Sequence, residues 1–233
     1  MISYFTSGFG NLNKCEDSCT AGVFDILKYL PADLFWQILK SSLLLDTLPS
    51  VAGNIQQIEF WPKWSVKDIE EISNANYIEP DVFINFIDFD VIIEAKRYDE
   101  KQQNSKQHRD QLVAYFNEFS DNETKEVYYI LLGGLHLEDV RKEITIIAGF
   151  LNERTVKLST IKWSSLLSTI ASLKKTIERQ GLQHQKPILL LLEDVINVLA
   201  IHGYHKKKWL SKMPKHTINQ TQIINFKYKT NAK

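Results

Sequence analysis

Residues Glu79–Arg97 read EPDVFINFIDFDVIIEAKR, and most of the stretch has the apolar, β-branched and aromatic composition of strands. Three charged groups, Asp81, Glu94 and Lys96, sit among the Ile, Val and Phe. Charge is seldom left in such company unless it is paired or holds a metal. A tight turn near Asp88 divides the stretch into strands at about 81–87 and 90–97. Side chains alternate along a strand, so Asp90, Ile92, Glu94 and Lys96 share one face, and Val91, Ile93 and Ala95 share the other. Asp81 opens the neighbouring strand, so a short turn brings two carboxylates and an ammonium to one sheet edge. Carboxylate oxygens are the preferred ligands of Mg²⁺. A lysine beside such a site can orient water or stabilise charge on a phosphate. The same residues would equally make a Lys96–Glu94 or Lys96–Asp81 ion pair at a strand end, and taken alone they do not decide between the two.

The flanking sequence supplies the layers. NKCEDSCTAGVFDILKYL (13–30) spaces Val23, Phe24, Leu27 and Leu30 as a helix, and ADLFWQILKSSLLL after Pro31 predicts a second. IQQIEFWPKW (55–64) alternates like a strand and leads into a polar loop through Asn74 and Asn76. Beyond the opening stretch, SKQHRDQLVAYFNEF is a helix, with Leu112, Tyr115, Phe116 and Phe119 at i, i+3, i+4 and i+7. EVYYILLGG is a buried strand closed by Gly133 and Gly134. A helix near 137–152, a short strand TVKLSTIKW, and helices near 163–179 and 187–202 follow. This order predicts an α/β fold: a mixed central sheet flanked by helices, with extra C-terminal helices. The three middle strands form a meander, and the strand at 126–132 joins them by a helical crossover.

Pro80-Asp81 followed thirteen residues later by Glu94-Ala95-Lys96 resembles the paired half-motifs of the PD-(D/E)XK nuclease superfamily. The order of elements over residues 13–134 is similar to the αβββαβ core of that restriction-endonuclease-like fold. Gln111 and Tyr115, in QLVAY, look like the QxxxY motif of RecB-like branches. At i and i+4 they lie on one helical face, which an ordinary amphipathic helix with Tyr115 in the core would also place there. The first helix of these folds often adds an acidic residue, and Glu16 is the candidate, in line with Thr20, Val23 and Leu27. A purely structural role is open to Glu16 as well: Asn13 as helix cap with Glu16 closing a capping box. Asp17 and Asp25 are further candidates.

The resemblance implies a metal-dependent hydrolase of DNA phosphodiesters. Asp81, Glu94 and the Ala95 carbonyl would hold Mg²⁺ or Mn²⁺, with Glu16 recruiting a second ion. Lys96 would ready the attacking water and Gln111 would order the site. Arg97, Lys106 and Arg109 would hold the DNA backbone, or else are solvated charges. Stand-alone members of the superfamily are common in restriction and antiviral defence, which makes an endonuclease of such a system the expectation. Its partners would be DNA and either a second copy of the chain or another protein of the system. A catalytically silent nucleic-acid-binding or assembly subunit with the nuclease fold is the alternative, and an exonuclease or junction resolvase is a third. Some RecB-like nucleases carry an iron–sulfur cluster on four cysteines; the two here, Cys15 and Cys19, lead us to expect none.

Of 233 residues, 44% are hydrophobic, enough for one substantial core. The longest apolar run is broken by Glu193 and Asp194, and the first residues lack a signal-peptide pattern, so we expect a cytoplasmic protein without a membrane span. The net charge of zero conceals an asymmetry. All 28 acidic residues precede residue 195, together with 20 of the 28 Lys and Arg, whereas residues 195–233 hold eight lysines and no acid. The body therefore sums to −8 and the end to +8. We divide the chain into a nuclease-like domain (1–204) and a basic segment (205–233). In that segment Lys206, Lys207 and Lys208, with Trp209, Phe226 and Tyr228, could grip phosphates and stack on bases; a solvated tail would look the same. QIINFKYK within it could form an added or intersubunit strand, and His202, His205 and His216 lack convincing ligand spacing.

Overall fold

A computed structural model of the chain describes residues 13–45, 47–67, 69, 72, 76–100, 102–119, 125–134, 137–150, 156–181 and 183–206. Two helices come first, α1 (Glu16–Leu27) and α2 (Ala32–Ser42). Then follow strands β1 (Ile55–Phe60), β2 (Trp64–Ser65), β3 (Tyr77–Ile78), β4 (Val82–Phe86) and β5 (Phe89–Ala95). Helix α3 (Ser105–Glu118) leads to β6 (Glu126–Leu132), and α4 (Leu137–Phe150) to β7 (Val156–Ile161). Helices α5 (Trp163–Gln180) and α6 (Lys186–Ile201) complete the described chain.

The main sheet has the order β1-β4-β5-β6-β7. β1, β4 and β5 form the antiparallel meander, and β6 and β7 add in parallel after α3 and α4. The fold is thus a mixed five-stranded sheet flanked by helices, as expected. Strict alternation sorts the central strands. Val82, Ile84, Phe86, Val91, Ile93, Ile130 and Leu132 pack with α1, α2, α5 and α6 on one face. Phe83, Ile92, Tyr129 and Leu131 pack against Leu112 and Tyr115 of α3 on the other. Helices on both faces explain why β5 is buried along its whole length.

Two strand boundaries differ from the sequence-based expectation. The strand expected over 55–64 stops at Phe60, and Trp64–Ser65 pairs instead with Tyr77–Ile78 in a separate two-stranded sheet. Pro62 has no N–H to give a ladder, and Trp61 adopts φ +48, which turns the chain out of the strand. The strand expected to include Trp163 ends at Ile161, because Trp163 opens α5. Its N–H, at 2.7 Å, and that of Ser164, at 3.1 Å, are capped by the Asp99 carboxylate. No helix among the described residues is long and apolar enough to cross a membrane.

Candidate active site

The hairpin register does the first work. Val82 pairs with Ile93, so Asp81 lies beside the end of β5, and its Oδ2 accepts the Ala95 N–H at 2.7 Å. Oδ1 accepts the indole N–H of Trp61 at 3.2 Å. Glu94 is 1% exposed. Gln111 donates to its Oε2 at 2.6 Å, Gln107 to its Oε1 at 2.7 Å, and the Lys96 ammonium closes on the same Oε1. The ion pair foreseen from sequence is therefore present, as part of a larger cluster. Glu16 joins it from the other layer, 3.3 Å from Lys96 Nζ. Glu16, Asp81 and Glu94 each offer a carboxylate oxygen, and these oxygens lie within 4.8 Å of one another.

The capping role considered for Glu16 does not hold. Helix α1 begins at Glu16 with Cys15 at its cap, and Ser18 rather than Glu16 folds back to accept the Cys15 N–H, at 3.1 Å. Glu16 in the first turn is thus left to reach the sheet end. Asp17 and Asp25 are exposed, and Asp25 pairs with Lys28 at 2.6 Å.

Three carboxylates face one ammonium in a largely desolvated space. Burial and the neighbouring Glu94 push Asp81 up to about 7. Burial also raises Glu94, although Lys96 and Gln111 pull against it. For Lys96, burial opposes the charge, but Glu94, Glu16 and Asp81 outweigh it and hold the ammonium protonated. A divalent cation would offset the remaining negative charge, and the all-oxygen donor set suits a hard ion.

Helix α3 orders this cluster from above. Gln111, wholly buried, gives its amide to Glu94 and takes the hydroxyl proton of Tyr129 on its oxygen, so the amide can sit only one way round. Tyr115 does not approach the carboxylates. Its hydroxyl donates to Asp90 at 2.7 Å. Asp90 is also paired with Lys125 at 3.0 Å, and it lies four residues, roughly 13 Å, before Glu94 on β5. Gln103 donates to the Gly133 carbonyl at 3.0 Å and, at 3.4 Å, to that of Glu94. It also bonds His108 at 2.8 Å, and His108 in turn bonds Glu143 of α4 at 2.6 Å.

Sequence reasoning missed Gln103, Gln107, Trp61 and Tyr129. Gln107 was within reach, since it stands one turn before Gln111 on the same helical face. The other three meet the cluster through tertiary contacts that no local spacing announces.

Among the expected nucleic-acid contacts, Arg97 is exposed and its guanidinium lies 5.0 Å from the centre of the Tyr98 ring. Lys106 is exposed in the first turn of α3. Arg109 is not brought to the cluster: it lies about 200° round the helix from Gln107 and pairs with Asp110 at 3.4 Å. Lys206 is exposed after α6. Lys207, Lys208, Trp209, His216, Phe226, Tyr228 and the QIINFKYK strand lie outside the described residues.

Fold and site together define an α/β protein with a carboxylate–lysine cluster at the end of a central hairpin. The chain is 30% identical over 228 residues to the uncharacterized protein PM0110 of Pasteurella multocida (strain Pm70), a match covering 92% of this chain and 80% of that protein. It belongs to the same family as that protein. No family model matches the chain, and no solved structure does.

Proposed function

We propose that the chain is a metal-dependent nuclease of the PD-(D/E)XK superfamily, with a restriction-endonuclease-like core, that hydrolyses DNA phosphodiester bonds internally. The observation that carries this reading is the convergence of Glu16, Asp81 and Glu94 oxygens within 4.8 Å, with Lys96 between them. Asp81 and Glu94 are the proposed ligands of Mg²⁺ or Mn²⁺, together with the Ala95 carbonyl, and Glu16 completes the set. When bound, the ion would supply Lewis-acid stabilisation of charge developing on the phosphate.

The protein's own groups supply positioning. Gln111 and Gln107 fix the Glu94 carboxylate, and the Ala95 N–H and Trp61 indole fix that of Asp81. Held in this geometry, the carboxylates present their oxygens together, and an ion would take over part of the pairing that Lys96 now gives Glu94 and Glu16. Lys96, kept charged by its acidic neighbours, donates hydrogen bonds to the attacking water and to a phosphate oxygen. The water oxygen bonds to phosphorus and gives up one proton, the ester P–O bond breaks, and the leaving oxygen takes up one proton, so that water is divided between the two products. A role in restriction or antiviral defence follows from the resemblance to that superfamily.

The test is incubation with circular plasmid and with circular single-stranded DNA, with and without Mg²⁺ or Mn²⁺. Metal-dependent nicking or linearisation is expected, and Lys96→Ala should lower it by at least about 100-fold. Cleavage of linear ends but never of circles would assign an exonuclease. Tight DNA binding with no cleavage of any form would assign the silent binding subunit.

A further inference from the structure

Immediately after Lys96, the segment Arg97–Asp99 is fastened from three directions. The Arg97 carbonyl accepts the Tyr204 hydroxyl at 2.8 Å, and the Tyr98 carbonyl accepts the Gly134 N–H. The Asp99 carboxylate caps α5 through Trp163 at 2.7 Å and Ser164 at 3.1 Å. The Trp163 indole also donates to the Lys96 carbonyl at 2.8 Å. With its backbone so anchored, this segment nevertheless leaves the side chains of Arg97 and Tyr98 out, Tyr98 being 48% exposed. The guanidinium over the Tyr98 ring makes the pair a cation–aromatic platform.

Positive charge gathers on the same corner. Helix α1 packs on α6, where an added Cβ at Gly22 would stand 2.8 Å from Val198, and Lys14 is exposed just before α1. Burial lowers the pKa of the His202 imidazole at the end of α6, and Lys14 and Arg97 lower it further. Three elements distant in sequence therefore converge here, and Tyr204 joins the end of α6 directly to Arg97. Lys206, two residues on, is exposed, and from residue 195 onward the chain carries no acid.

We propose that the substrate is taken as an unpaired nucleic-acid strand, with a base stacked on Tyr98 and the adjoining phosphates on Arg97 and Lys14. The inference rests on the nuclease reading of the carboxylate cluster and adds the form of the substrate. A duplex hides the faces of its bases inside the stack, whereas the half-exposed Tyr98 ring, on backbone anchored two residues after Lys96, offers a surface to a base that is free. Stacking on an aromatic side chain needs a base that is already free.

The test measures binding of a labelled 20-nucleotide single strand and of its blunt duplex by anisotropy, in Mg²⁺ and in the Lys96→Ala background so that turnover does not interfere. The single strand should bind more tightly. Tyr98→Ala should weaken it by roughly 5- to 100-fold with less than about a twofold effect on the duplex, and Tyr98→Phe should restore it. Lys14→Ala should lower the salt slope by about 0.7 for the single strand. Equal binding of the two forms, or indifference to Tyr98→Ala with melting temperature unchanged, would overturn the inference.

Cleavage of both forms by the unmutated protein separates the two claims. Duplex cleavage indifferent to Tyr98→Ala removes the strand preference and leaves the nuclease reading standing. No metal-dependent cleavage of either form sinks the nuclease reading, and the binding comparison then decides the strand preference alone.

Discussion

Asp81, pushed up to about 7, exchanges its proton near neutral pH in the metal-free protein. The unfolded chain ionises the same carboxyl near 3.9, so between these values the folded state binds more protons. Stability from this group is then fully present below about pH 4 and is lost as pH rises towards 7. The expected loss is on the order of 4 kcal/mol in metal-free denaturation curves, and Asp81→Asn should flatten the slope to the share left by Glu94, which burial also raises. Metal binding has the opposite sign, since the ion must displace that proton. Affinity for Mn²⁺ measured by calorimetry should rise by up to about tenfold per pH unit below 7 and level off above it. An affinity that does not change between pH 5.5 and 8 would remove Asp81 from the ligand set. Asp81, Glu94 and Lys96 were legible in the sequence because strand alternation is strict and the two-residue turn at Ile87–Asp88 sets the register. Trp61 was not, because Phe60, Trp61 and Trp64 read as one continuous strand until Pro62 and the positive φ of Trp61 turn the indole onto Asp81.

At the level of elements, α3 carries a division of labour. Gln111 touches the cluster and Tyr115 holds the far end of β5 through Asp90. Gln111→Leu would leave a Tyr129 hydroxyl and one Glu94 oxygen buried without this partner, costing about 1–3 kcal/mol and suppressing cleavage. Tyr115→Phe should cost a comparable amount of stability in urea denaturation and leave metal-dependent cleavage within a few-fold. Equal losses of activity from both would contradict the division. The QxxxY spacing was readable from helical periodicity alone; that its two residues serve opposite ends of a strand became visible only with the packing. The turn after β6 matters for the same site. At Gly133, φ +72, an added Cβ would stand 2.7 Å from the Lys96 carbonyl and 2.8 Å from that of Tyr98. Both neighbours are backbone, so Gly133→Ala must displace the lysine segment, and a cost of at least about 2 kcal/mol is expected in thermal melts.

Across the whole molecule, an acidic body carries its cationic surplus at one end. Tyr204 ties the start of that end to Arg97, beside the cluster. Removing residues 207–233 deletes seven of the eight lysines, and the salt dependence of nucleic-acid binding should become shallower while the melting temperature holds. An unchanged salt slope would show that these lysines contact no phosphate. The five-stranded architecture was legible because helix and strand periods differ and the elements come in a simple order. The small β2–β3 sheet was not, since two-residue strands carry no period to read. Trp36, Trp64 and Trp163 are sealed in the core, whereas Trp61 is half-buried with its N–H on a proposed metal ligand. Its emission should therefore shift as Mn²⁺ or Mg²⁺ is titrated in, and Trp61→Phe should remove the signal. On the proposed reading the protein contains its own optical probe, one that would report the arrival of an ion before any DNA is cut.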